Sequence, residues 1–281
     1  GTGWIPVNFK TTGVVSLSSL PTDPINASSS NLYYTYVSGG SFQLASHFES
    51  AKYQATQGSD AMYTVGSNLN LAPFLSGLVG WWKFDDNTND SSGYANNGTE
   101  NGGTPTYILG EQGQARSFDG IDDYVVMANS AALQSFDGTV SFFMNGVACT
   151  LCGVVGKASS PTWAGSSWLF QFWSAHNIKF GLNGQDIYVG APANSSPDNT
   201  WHHITGTWQR SGDQTTIKLY LDGTLQSSSS SVITLRTGNG IVVGSWGPGT
   251  SYISDVIVDD VRIYNRALSS SEVQALYNAT K

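Results

Sequence analysis

From Gly80 onward, the chain consists of short runs of alternating apolar and polar residues, separated by turns rich in Gly, Asn, Asp and Ser. Alternation with a period of two places the apolar side chains on one face of a strand, so each run predicts a half-buried strand. The runs are GWWKF, ARSFDG, DYVVM, TVSFFM, SWLFQFW, NIKFGL, HHITGTWQ, TIKLYLDG, GIVVGS and DDVRIYN. Short strands at this spacing are typical of an antiparallel sandwich or jelly roll, so we predict an all-β fold of one of these two kinds.

The tail is the one segment with helical periodicity. Ser269 or Ser270 can cap a short helix in which Val273, Leu276 and Tyr277 share one face. We therefore predict a short C-terminal helix that folds back against the sandwich.

The first part of the chain has a different pattern of residues. Before Gly80, short strand-like runs surround a loop rich in Pro and Ser, and LAPFLSG follows as a predicted linker. A boundary near Ser76 to Leu78 divides the chain into a small β region, 1–77, and a larger domain, 78–281. The small region is short for an independent core, so we expect it either to pack against the larger domain or to lack a secondary-structure element that once completed it.

Charge and hydropathy exclude several partners. Only 11% of the 281 residues are charged, the net charge is −8, and no basic stripe is present. Nucleic acid and anionic lipid are therefore disfavoured as partners. No apolar run approaches the ~20 residues that a membrane span requires, so we expect no span in this sequence.

The two cysteines of the chain, Cys149 and Cys152, form a CxxC pair. No second pair and no thioredoxin-like pattern accompanies them, which favours a small loop disulfide over a zinc or redox site. A disulfide indicates an oxidising compartment.

Residues for catalysis are sparse. The closely spaced acid pair of a glycosidase is not visible, because the four glutamates are widely scattered: Glu49, Glu100, Glu111 and Glu272. Adjacent His202 and His203 must point to opposite faces of one strand, and we expect a structural His rather than a general base. The sequence therefore predicts a protein that is not an enzyme.

Oxygen ligands, by contrast, are plentiful. Three clusters of aspartates lie far apart in the sequence: Asp85, Asp86 and Asp90; Asp119, Asp122 and Asp123; Asp255, Asp259 and Asp260. Calcium takes six to eight oxygens, and these loops offer carboxylates together with Asn and backbone carbonyls. The alternative is that the aspartates form turns, as the Asp119-Gly120 pair indicates. We expect a calcium site that joins the first and last strands.

Nine tryptophans raise the possibility of sugar stacking, because aromatic rings bind the apolar faces of sugars. Trp82, Trp201 and Trp208 are predicted to pack in the core. Trp163 and Trp246, which Pro, Gly and Ser flank, are the predicted exposed ligand-binding residues.

The ordered motifs GWWKFDDNTNDSSGYANNGT, GQARSFDGIDDYVV, TWHHITGTW, YLDG and VDDVRIYNRALSSSEVQALY resemble the laminin-G-like jelly roll of the concanavalin A-like lectin/glucanase superfamily. The resemblance covers 78–281 and implies adjacent first and last strands, often with a structural calcium between them. DDVRIY is similar to the closing strand of laminarinase-type glucanases, in which the first Asp binds calcium, and this Asp corresponds to Asp259. The predicted metal ligands are Asp259, Asp85, Asp90 and Asp123.

The segments GTGWIPVNF, SLPTDPINASSSNLYYTY and YTVGSNLNL are similar to the globular part of bacterial type IV pilin-like proteins and pseudopilins. Those proteins begin with an apolar helix that this chain lacks, and we expect such a helix to have been removed from a longer product. The resemblance implies an extracellular place on a bacterial cell surface and pilin subunits as possible partners.

Together these features predict a non-catalytic recognition or adhesion protein whose jelly roll binds a glycan or a protein surface. Two alternatives remain open: a glycoside hydrolase or lyase on the same fold, and a purely structural pilus subunit.

Overall fold

The computed structural model describes residues 35–38, 42–47, 62–66, 76–146, 151–158, 166–174, 177–184, 186–191, 199–236, 238–249 and 252–281. The first three ranges form a small antiparallel sheet of β1 (Thr35–Ser38), β2 (Phe42–His47) and β3 (Met62–Gly66). Most of the predicted pilin-like region lies outside the described residues, so the pilin resemblance and the domain boundary stay predictions.

The larger part of the described chain is built from strands and one α-helix. The strands are β4 (Leu78–Trp82), β5 (Gly98–Asn101), β6 (Thr106–Leu109), β7 (Gln114–Asp119), β8 (Tyr124–Met127), β9 (Gly138–Gly146), β10 (Cys152–Ala158), β11 (Ser166–Ser174), β12 (Asn177–Leu182), β13 (Ile187–Gly190), β14 (His202–Ser211), β15 (Gln214–Leu221), β16 (Thr224–Val232), β17 (Ile241–Val243) and β18 (Asp255–Tyr264). The helix, α1, spans Ser270–Thr280. No helix among these residues is long and apolar enough to cross a membrane.

The strands form two large antiparallel sheets. One sheet has the order β13-β12-β11-β10-β17-β8-β5, and the other has the order β16-β15-β14-β9-β18-β7-β6, with β4 also paired to β18. This arrangement confirms the prediction of an all-β, two-sheet jelly roll with a short helix at its C-terminal end.

Apolar side chains fill the space between the two sheets. Phe170 stacks on Phe180 with ring centroids 4.5 Å apart, and Phe142 meets Phe170 edge-on at 5.1 Å. Trp82 and Trp208 are buried in the same cluster, as predicted. Trp201 is only partly buried, because it precedes β14 rather than lying within it.

Helix α1 packs on a second apolar cluster, separate from the core between the sheets. Ser269 caps the helix in a reciprocal arrangement with Glu272, in which each side chain accepts a backbone N–H of the other. The cluster consists of Leu78, Tyr220, Tyr264, Leu268, Val273 and Leu276. The predicted helix and the burial of Val273 and Leu276 are therefore confirmed.

Strand β18 changes partner in its middle. Asp255 to Val258 pair with β7, whereas Val261 to Tyr264 pair with β4. On its other side, β18 pairs with β9 throughout, with a break in register between Asp259 and Arg262. The break is a bulge in which Asp260 has a positive φ of 55°. Asp259 and Asp260 therefore lie at the gap between the end of β4 and the start of β7.

Candidate functional site

Two carboxylates hold the turn between β6 and β7. Asp259 Oδ2 accepts the backbone N–H of Gln112 at 2.8 Å, and Asp85 Oδ1 accepts that of Gln114 at 2.8 Å. Glycine is needed at two positions of this turn, because a Cβ at Gly110 or Gly113 would collide with one of these carboxylates. The structure thus brings together Asp85 and Asp259, two of the four predicted metal ligands.

Asp259 is fully buried, and its Oδ1 has no hydrogen-bond partner among the residues that the structure describes. Burial raises the pKa of Asp259 to about 7; the N–H of Gln112 opposes this rise, and the negative charges of Asp260 and Asp85 add to it. Asp260 is compensated by Arg262, whose Nη2 lies 2.7 Å from Asp260 Oδ2. Among the described residues, Asp259 thus has a buried oxygen without a hydrogen-bond donor, and the Asp85 carboxylate is close enough to raise its pKa. Carboxylate oxygens of this kind are ligands of hard cations.

Asp90 acts as a turn former. Its Oδ1 accepts the backbone N–H groups of Trp81 and Ser92, and its Oδ2 accepts that of Asn96. Both of its oxygens therefore receive hydrogen bonds from the main chain, which is the role that turn chemistry alone assigns to an aspartate.

Asp123 belongs to a separate acidic group. The carboxylates of Asp119, Asp122 and Asp123 lie within 4.8 Å of one another. Asp119 Oδ1 accepts the N–H of Ile121 and so forms the predicted turn. Asp123 is buried and forms an ion pair with Arg116 at 3.3 Å. Since Asp119 pairs with Asp255 at the far end of β18, this group is distinct from the Asp85 and Asp259 pair.

The histidines have structural environments. Buried His203 Nε2 is 2.7 Å from Ser141 Oγ, and its ring stacks against Tyr277 of α1. Burial lowers the pKa of His203 to about 3, so its imidazole is neutral at physiological pH. His202 instead meets Asp222 at 2.8 Å. Ser141 and His203 are both buried, and Tyr277 of the helix covers the histidine ring.

A second candidate site is the outer side of the seven-stranded sheet. We call it the aromatic face and define it by six residues: Gln171 and Trp173 on β11, Lys179 on β12, Tyr188 on β13, and Trp246 and Tyr252 in the β17–β18 loop. Phe170 and Phe172 point into the core, so the alternating residues of β11 point outward. The register places Gln171 beside Lys179 of β12 and beside Gly153 of β10.

The loop that follows β17 forms one side of the aromatic face. The main chain of Trp246 lies so close to Gly153 that a Cβ there would collide with it. Trp246 is only 3% exposed, and Tyr252, which is 45% exposed, stacks on it with centroids 4.1 Å apart. The expectation that Trp246 is exposed is therefore wrong, because the loop folds back over the sheet and presents Tyr252 instead. Trp163 lies outside the described residues.

A lysine between two rings forms the other side of the aromatic face. The Lys179 ammonium lies 4.1 Å from the ring centroid of Trp173 and 4.6 Å from that of Tyr188. Trp173 remains 40% exposed and Tyr188 50% exposed. Lys179 and Tyr188 were not predicted as site residues. The available signal was the run SWLFQFW, in which large apolar residues lie on both faces of the strand. A strand with one solvated face would instead alternate apolar and polar residues.

Gln171 forms the floor between these two sides. It is 1% exposed, and neither its amide nitrogen nor its amide oxygen has a partner among the described residues. A buried amide without partners costs about 1–3 kcal/mol.

Similar solved structures share the fold. Domain 4 of an extracellular arabinanase from Geobacillus stearothermophilus, in complex with arabinotriose, is 20% identical over 72% of this chain and 98% of its own, with a TM-score of 0.56. The binding domain of Paraclostridial Mosquitocidal Protein 1 is 20% identical over 72% of this chain, with a TM-score of 0.57. The binding domain of botulinum neurotoxin serotype D is 17% identical over 73% of this chain, with a TM-score of 0.56.

The chain spans 98% of the arabinanase domain but only about half, 52%, of each of the two toxin domains. No curated protein sequence matches it. A laminin-G family model, described as the concanavalin A-like lectin/glucanases superfamily, matches residues 118–274. Because that match covers more than half of the sequence, the chain belongs to the concanavalin A-like lectin/glucanase superfamily.

Proposed function

We propose that this protein is a non-catalytic recognition module that binds an oligosaccharide on its aromatic face. The observation that carries the proposal is the group of three partly exposed rings, Trp173, Tyr188 and Tyr252, around the buried amide of Gln171. Sugar rings pack their apolar faces on aromatic side chains and direct their hydroxyls to a few polar groups. The arabinotriose complex of the similar arabinanase domain supports a glycan ligand.

The dimensions of the aromatic face suit a short oligosaccharide. Tyr252 lies on the loop over β10 and Tyr188 is on β13, so three strand spacings separate the two sides. At about 4.8 Å for each spacing, the face is roughly 14 Å wide. A ligand that crosses it would contact rings at both ends and pass over Gln171 in the middle.

Binding without cleavage is part of the proposal. Hydrolysis of a glycosidic bond requires two carboxyl groups beside the bond. Among the described residues of β10 to β13, no outward-pointing side chain is a carboxylate. We extend the proposal to surface recognition or adhesion outside a bacterial cell, with the binding domains of the two toxins as supporting examples of the fold.

We also propose that calcium binds at Asp259 and Asp85. The supporting observation is the buried Oδ1 of Asp259, which lacks a partner among the described residues. A cation would compensate the charge crowded at the bulge of β18 and would tie that strand to the β6–β7 turn.

A glycan array with the purified chain tests the proposed function. Trp173→Ala and Tyr188→Ala should each weaken binding of the selected glycan about tenfold or more. Phe136→Ala is the matched control, since Phe136 is 63% exposed and lies between β8 and β9, outside the aromatic face. If all three variants bind the glycan as tightly as the wild-type chain, the ligand binds outside the aromatic face. Release of shorter sugars from the bound glycan would support the hydrolase alternative instead.

A further inference from the structure

We propose that the aromatic face binds glycans that carry a carboxylate in preference to neutral glycans, and that Lys179 recognises the carboxylate. This inference rests on the proposed function and names the class of sugar that the face takes. It follows from the position of Lys179, from the absence of a counter-ion around it in the described structure, and from the adjacent Gln171.

Lys179 is the one charged side chain among the described outward-facing residues of β10 to β13. The others are small, aromatic or neutral: Gly153, Gly156, Leu169, Gln171, Trp173, Gly181, Tyr188 and Gly190. The chain as a whole has a net charge of −8. Within the described part of the chain, the aromatic face therefore presents a single positive charge on an acidic protein, where an anion meets complementary rather than repulsive charge.

No carboxylate within the described residues forms an ion pair with Lys179. The described ion pairs involve Arg116, His202, Arg262 and Arg266. The Lys179 ammonium is instead held over the rings of Trp173 and Tyr188. Two aromatic contacts fix the position of the charge without neutralising it, so the ammonium is available to a ligand anion.

Burial lowers the pKa of Lys179, in agreement with a charge that has no ion-pair partner among the described residues. Gln171, directly opposite in the register, adds an amide group with two further donors. A carboxylate accepts hydrogen bonds only, and an ammonium beside an amide NH2 matches that requirement. A neutral sugar would satisfy the amide but would leave the charge uncompensated.

One described acidic residue borders this part of the aromatic face. Asp186 is exposed in the turn before β13, whereas Lys179 pairs with Gly190 at the other end of that strand. Four residues of extended strand separate the two positions by about 13 Å. This exceeds the Debye length of about 8 Å at physiological salt, so Asp186 repels an anion at Lys179 only weakly.

The experiment compares matched glycans by calorimetry with the purified chain. Uronic acid oligomers are paired with neutral oligomers of the same linkage, and sialylated and sulfated glycans are included as separate arms. The wild-type chain should bind a carboxylated glycan about tenfold tighter than its neutral match. High salt should reduce this preference.

Lys179→Met keeps the aliphatic stem and removes the charge, so it should abolish the preference while neutral binding persists. Lys179→Arg should retain the preference. Lys218→Met, on β15 of the other sheet, is the control because it also removes one positive charge. It should leave the preference for the carboxylated glycan unchanged. Folding of each variant is checked by circular dichroism, and Lys179→Gln replaces the Met variant if that variant does not fold.

Equal affinity for neutral and carboxylated glycans, unchanged in Lys179→Met, would overturn the charge inference and leave the proposed function intact. A preference for the sulfated arm would overturn the carboxylate assignment. Absence of binding to every arm would overturn the proposed function and this inference together.

Discussion

Gln171 and Lys179 lie directly opposite each other on β11 and β12, and their side chains leave the sheet on the same side. One carries a buried amide without a partner, and the other an ammonium without an ion pair, among the residues that the structure describes. Both arrangements cost folding free energy. In the proposed complex, the bound glycan would compensate both groups.

Replacement of Gln171 by the similarly sized Leu should stabilise the fold and weaken glycan binding. The change removes an amide that has no partner, so the free energy of unfolding should rise by about 1 kcal/mol. Urea denaturation measures the stability, and calorimetry measures the affinity.

Thr205→Val is the matched control for Gln171→Leu. Thr205 is buried in the other sheet, and its hydroxyl also lacks a partner among the described residues. This variant should gain stability and keep full affinity. A Gln171→Leu protein that binds as tightly as the original would show that the amide does not contact the ligand.

Calcium removal should lower the melting temperature of the jelly roll. Calcium at 100 times its Kd contributes about 2.7 kcal/mol, so a chelator should lower the melting temperature by roughly 5 to 10 °C. Asp259→Asn should abolish this dependence on calcium. Asp137→Asn is the control and should keep it, because Asp137 Oδ1 accepts the backbone N–H of Arg210 in a separate turn. Identical melting curves with and without chelator would return Asp259 to a purely structural role.

Stability should rise with pH above about 8 because of Lys157. This side chain is buried and donates to the carbonyl of Leu133, and burial lowers its pKa to about 8. In the unfolded chain the lysine keeps its proton up to about pH 10.4, so the unfolded state binds more protons between these values. The gain should reach up to about 2 kcal/mol by pH 9.5.

Urea denaturation of the wild-type chain and of Lys157→Met between pH 7 and 9.5 measures this effect. The variant has no titrating group at the position and should lose the rise. A rise of the same size in both proteins would assign it to other groups.

Cys149 and Cys152 should form a disulfide in protein from an oxidising compartment. Cys152 begins β10 and is buried, no cysteine in the described part of the chain is free, and Cys149 lies outside that part. Alkylation without reduction should leave both cysteines unmodified by mass spectrometry. Two alkylated cysteines would contradict the prediction.

The pattern of the sequence predicts much of the fold, because alternation and turn residues are local signals. The runs SWLFQFW and NIKFGL became β11 and β12, and the capped tail became α1. The order of strands within each sheet is not local, because it depends on which buried faces fit together. The change of partner in β18 therefore could not be derived from its sequence.

The site was predicted less completely for the same reason. Aspartates at Asp85 and Asp259 were recognisable as oxygen donors, and the resemblance placed them near each other. Trp246 was mistaken for an exposed residue because a loop rich in Gly and Ser gives no sign that it folds back onto Gly153. Tyr252 and Lys179 acquire their roles only when separate strands and loops meet.

The position of β18 in the eight-stranded sheet has a consequence for synthesis. Trp82 of β4 pairs with Val261 of β18, and β7 and β9 also pair with β18. At about 5–20 residues per second, a ribosome needs roughly 10 to 40 s between making β4 and making β18. During that interval β4, β7 and β9 lack β18, the strand with which all three pair. The nascent sandwich therefore stays open and exposes its apolar interior. A chaperone that holds the chain for those seconds would protect it from aggregation until the closing strand emerges.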